Sequence, residues 1–82
     1  MSENRLSEVF HVLVKYGDLV LMRTEKPLPR IEAFKIAREA PYSRRTGVVY
    51  APGAKHAVIF RPPRRFTDPM PAGEKIPLAQ VL

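Results

Sequence analysis

The sequence predicts an α+β fold. The expected architecture is a small two-layer ββαββ domain, an antiparallel sheet with one helix packed on one face, plus an extended Pro-rich C-terminal tail. Three observations predict it. Two apolar, strand-prone stretches are each broken by a glycine turn, at Gly17-Asp18 and at Pro52-Gly53. One helical pattern, residues 30–40, lies between them. Proline density then rises, so that residues 62–77 hold five of the nine prolines. A chain of 82 residues has room for one domain with a thin core. It divides into an N-terminal arm (1–8), the ββαββ domain (9–61) and the tail (62–82).

Residues 9–24, VFHVLVKYGDLVLMRT, read as a β-hairpin because Val, Phe, Leu and Tyr favour strands. Gly17-Asp18 suits a two-residue primed turn. That turn sets Tyr16 opposite Leu19, Val14 opposite Leu21 and Val12 opposite Arg23, an almost wholly apolar face expected to point at the core. The other face, with His11, Leu13, Lys15, Val20, Met22 and Thr24, is half polar and expected to be partly wet. A helix competes for residues 6–16: Leu6, Val9, Phe10, Leu13 and Val14 also fit helical spacing, with Gly17 as its stop. The β-branched Val9, Val12 and Val14 favour the strand.

The linker EKPLP, residues 25–29, is stiffened by Pro27 and Pro29. In the helix that follows, RIEAFKIAREA, Pro29 suits the first helical position and Pro41 the end. Glu32 and Arg38 complement the helix dipole. Ile31, Ala33, Phe34, Ile36, Ala37 and Ala40 fill an arc of about 220°, which predicts a helix laid deep into the sheet with Arg30 and Arg38 reaching out at its edges. Residues 46–51, TGVVYA, and 56–61, HAVIFR, predict a second hairpin of interior strands, with Pro52-Gly53 at the centre of a type II turn. The proline-rich stretch after Arg61 excludes a regular helix or an inner strand and predicts extended chain. It ends in Ile76, Leu78, Val81 and Leu82, an apolar set expected to dock on the domain, a second copy or a partner.

The net charge of +6 predicts attraction to polyanions, and its distribution is uneven. Residues 1–29 carry four bases against four acids, residues 30–65 nine bases against two acids, and residues 66–82 one base against two acids. Seven of the nine central bases are arginine, the residue best suited to bidentate phosphate or carboxylate contact. Arg38, Arg44 and Arg45 cluster where the helix exits. Arg61, Arg64 and Arg65 cluster where the last strand of the second hairpin exits. A hairpin returns the chain to its starting end, so the topology predicts one patch from these two groups. Tyr42 and Phe66 flank it, as stacking residues for bases or as ordinary packing.

Other chemistry lacks support in the sequence. No GxxxxGK[ST] or GxGxxG motif is present, so no nucleotide cofactor is expected. No metal is expected, because the chain has no cysteine and its two histidines are far apart. His11, His56, Ser7, Ser43, Asp18 and Asp68 form no recognisable catalytic pattern, so the chain is not expected to be an enzyme. No PxxP motif exists for groove-type proline recognition. No apolar run is long enough for a membrane span, and no secretory signal is visible, which points to a cytoplasmic setting. Two functions follow as expectations. One is a nucleic-acid-associated accessory protein that contacts phosphates through Arg38, Arg44, Arg45, Arg61, Arg64 and Arg65, with Tyr42 and Phe66 flanking them in the same binding patch. The other is a protein-interaction module, such as a phage or mobile-element inhibitor that meets an acidic face of a host complex. Self-association into a homodimer belongs with the second, since a thin core and an apolar tail favour it.

Overall fold

The computed structural model describes residues 8–65, 67–69 and 72–82. An antiparallel sheet carries one helix on one face, an α+β fold. Its strands are β1 (Val9–Tyr16), β2 (Leu19–Arg23), β3 (Leu28–Pro29), β4 (Thr46–Tyr50), β5 (His56–Phe60) and β6 (Glu74–Pro77), and the helix α1 spans Arg30–Glu39. The strand order is β2-β1-β4-β5-β6, with the short β3 also paired to β1. Residues 9–16 are therefore strand, and the rival helix over this segment is not formed. β4 and β5 lie inside the sheet.

Both turns follow their glycines. Gly17 has φ +61° in the first hairpin. Gly53 has φ +77°, and the Ala54 N–H donates to the Ala51 carbonyl at 3.0 Å, which fits the expected type II pattern.

The first hairpin departs from its expected register. Tyr16 does pair with Leu19, and Lys15 with Val20, but Val14 pairs with Met22 and Leu13 with Arg23. Leu21 is the extra residue of a bulge, which shifts every pair beyond it by one. Thr24 fixes the shifted strand: its N–H donates to the Val12 carbonyl at 3.1 Å, and its hydroxyl accepts from the Val12 N–H at 3.0 Å. The expected core face is corrected too. Val12 and Val14 are buried, but Tyr16, Leu19 and Leu21 are exposed. The helix packs over β1 and β4, at the middle of the sheet; Met22 of β2 reaches the cluster beneath it, while Leu19, Val20 and Leu21 stay exposed at the edge.

Small residues bring the helix close. Ala33, Ala37 and Ala40 are buried against Val12, Val14 and Val49. Gly47 of β4 lies so near the Ala37 backbone that a Cβ there would collide with the Ala37 carbonyl. Phe34 closes one side, edge-on to Phe10 with ring centroids 5.3 Å apart. The buried stripe is narrower than the sequence predicts, because Ile31 is 82% exposed. Ile31 sits in the first turn, on the side away from the alanine stripe. Pro29 is the N-cap rather than the first helical residue. Pro41 does not end helical structure outright: a 3-10 turn, Ala40–Ser43, carries the chain on with Pro41 buried in it.

The second sheet face is drier than its half-polar pattern suggests. Leu13, Val48, Ala57 and Ile59 are buried there, packed against Tyr50, Ile76, Leu78 and Val81. The C-terminal segment supplies this cover. β6 pairs with β5 as an edge strand (Ala57 opposite Ile76, Ile59 opposite Glu74), and the Leu78 N–H donates to the Lys55 carbonyl at 2.8 Å. An edge position tolerates Pro77, which has no N–H to give an inner ladder. The sheet thus extends beyond residue 61 into the tail. Leu82, expected to dock with the other three apolar residues, is exposed.

Candidate phosphate-binding groove

The topology builds the site. In the β4–β5 hairpin, Gly47 stands opposite Phe60. The chain entering β4 and the chain leaving β5 therefore emerge side by side. The first carries the 3-10 turn and Arg44, and the second carries Pro62, Pro63, Arg64 and Arg65. Between them lies an open groove of about 800 Å³, lined by Pro41, Tyr42, Arg44, Pro62, Pro63, Arg64, Arg65, Thr67 and Asp68.

Its walls are stiff where prolines form them and cationic where arginines do. Tyr42 is 74% exposed and presents its ring to solvent at the groove. Arg44 is held by its backbone. Its φ is +62°, the left-handed region, and its N–H donates to the Pro41 carbonyl at 2.9 Å. Arg45 follows with an N–H bond to the Ala40 carbonyl at 3.1 Å. Among the described residues, Arg44 is the only non-glycine residue in that region. A side chain costs about 1–3 kcal/mol there, where glycine is at ease.

The charge in the groove is available to a ligand. Among the described residues, ion pairs form only between Arg30 and Glu8 and between Arg61 and Glu74, each at 3.4 Å. Among these residues, Arg44, Arg64 and Arg65 have no such partner. Among the described residues, Asp68 is the one acidic residue in the lining, and its N–H closes a turn onto the Arg65 carbonyl at 2.9 Å.

The sequence-predicted site is thus divided. Tyr42, Arg44, Arg64 and Arg65 share the groove. Arg45 is exposed close by but does not line it. Arg38 points elsewhere, with its guanidinium 5.9 Å from the Phe34 ring centre and 6.0 Å from that of Phe60. It shares the outer helix face with Arg30, which lies 5.0 Å from the Phe34 ring centre. Such stacking shields the aromatic edge of the core. Arg61 is turned to Glu74 on β6. Phe66 lies outside the described residues.

Sequence reasoning missed the walls: Pro41, Pro62 and Pro63, together with Thr67 and Asp68. The available signal was RPPRR itself, where two prolines stiffen the chain beside the arginines they present. The two histidines serve no shared centre. His11 is half-buried, with Nδ1 3.2 Å from the Thr24 hydroxyl, while His56 is exposed on β5. Among the described residues, no helix is long and apolar enough to cross a membrane. No known protein family, curated protein or solved structure matches this chain.

Proposed function

We propose that this chain is a small non-enzymatic accessory protein that binds nucleic acid, holding phosphates in the groove lined by Tyr42, Arg44, Arg64 and Arg65. The observation that carries this reading is the set of three arginines, Arg44, Arg64 and Arg65, converging on one open groove beside an exposed tyrosine. Guanidinium groups without acid partners suit a bidentate phosphate contact. An exposed aromatic ring beside them suits a stacked base. The strained backbone of Arg44 supports the same reading, since glycine would fold there at lower cost and would carry no charge. Residues 41–45 and 61–65 form a short 3-10 turn and loop chain rather than a groove-reading α-helix, so the contact is expected to be largely independent of sequence. The proposed setting is cytoplasmic.

The test is fluorescence anisotropy with labelled single-stranded and duplex oligonucleotides. Binding at low salt, lost in the Arg44→Ala/Arg64→Ala/Arg65→Ala variant, supports the proposal. If the oligonucleotides do not bind and a stoichiometric protein partner survives nuclease treatment, the arginines serve an acidic protein surface instead.

A further inference from the structure

We propose that two copies of this chain associate through β2, edge to edge and antiparallel, to form a sheet continuous across a two-fold axis. β2 is the outermost strand on its side: among the described residues it pairs only with β1, so its other backbone edge is open. Its side chains are unusually apolar for such a place. Leu19 is 62% exposed, Tyr16 beside it 59%, and Val20 and Leu21 are also exposed. From Leu19 to Met22 the strand has no charge and no proline. Those are the usual devices that keep an edge from pairing. The Leu21 bulge is the one protective feature, and it lies within the strand rather than capping its ends.

The ends of the strand point to a second copy of itself. Asp18 precedes β2 and Arg23 closes it. In a two-fold antiparallel pair with Val20 opposite Leu21, Leu19 faces Met22, and Asp18 of each copy faces Arg23 of the other. Both charges are then matched twice, with only apolar residues between them. Sliding the pair so that Leu21 faces Met22 instead sets Asp18 against Glu25, a like-charge clash at both ends. The charges therefore favour the first register over the second, and of the two only the first matches Asp18 with Arg23. This interface is separate from the arginine groove, which lies between the β4 and β5 ends of the chain, and it does not depend on what the groove binds. It also differs from dimerisation through the tail, whose apolar residues Ile76, Leu78 and Val81 are already spent on the chain's own sheet.

Sedimentation equilibrium of the full chain over about 1 µM to about 1 mM tests it. A monomer–dimer equilibrium is expected. Val20→Lys and Leu19→Lys, both on exposed side chains, are each expected to weaken dimerisation at least about tenfold with an unchanged circular dichroism spectrum. Asp18→Arg alone is expected to weaken it, and Asp18→Arg with Arg23→Asp to restore it, because the swapped pair is again matched. A monomer throughout this range overturns the proposal. So does a dimer indifferent to both lysine variants, or a charge-swapped double variant that stays as weak as Asp18→Arg.

Discussion

Gly47 lies against the backbone of Ala37 with no room for a Cβ between them. This one contact sets the distance between the helix and the sheet. The alanines at 33, 37 and 40 allow it from the helix side, and the missing side chain at 47 allows it from the sheet side.

Gly47→Ala is therefore expected to destabilise the fold by about 1–3 kcal/mol, the usual cost of overpacking a core. The obstacle is helix backbone, which cannot rotate aside as a side chain can. In a domain of this size that loss lowers the melting temperature by about 4–8 °C per kcal/mol. Thermal denaturation followed by circular dichroism checks it. An unchanged melting temperature would mean that the helix sits further from β4.

Arg44 separates stability from binding. Arg44→Gly removes the side chain from a left-handed position, so stability is expected to hold or to rise by up to about 1 kcal/mol. Oligonucleotide affinity is expected to fall in the same variant. Urea denaturation and anisotropy, run side by side, check the two halves. A variant that loses stability would show that the arginine side chain is held by structural contacts.

The tail completes the second core. Ile76, Leu78 and Val81 cover Leu13, Val48, Ala57 and Ile59. Leu78→Asp is expected to cost about 2 kcal/mol or more, because it both uncovers that cluster and sets a charge on it. Leu82→Asp, at an exposed position, is expected to stay within about 0.5 kcal/mol of wild type. Comparing the two variants in one urea series distinguishes docking from a general effect of charge at the C-terminus.

Several of these relationships were open to a reader of the sequence, and particular residues explain which were not. Gly17 and Pro52-Gly53 announced both hairpins, and the second hairpin implied that Arg44 and Arg64 emerge at the same end. Period-two alternation has no mark for a bulge, so the displaced Leu21 and the exposed Tyr16 and Leu19 were not legible. The helix pattern showed which residues are apolar but not which of them the sheet covers, so Ile31 was misplaced. The pairing of Arg61 with Glu74 depends on the register of β6 against β5, a contact between segments whose apolar pattern is too short to align. IPLAQVL signalled docking by its composition, while its destination, the face around Leu13, required the fold.

The central claim is that Arg44, Arg64 and Arg65 act together on phosphate, and the salt dependence of binding tests it most directly. Oligonucleotide affinity is to be measured from about 50 to about 200 mM salt for the wild type and for the triple alanine variant. Each lost phosphate contact removes about 0.7–0.9 from the slope of log affinity against log salt, so the variant's slope is expected to be shallower by about 2–3. An unchanged slope, or no binding by the wild type at the lowest salt, would contradict the account.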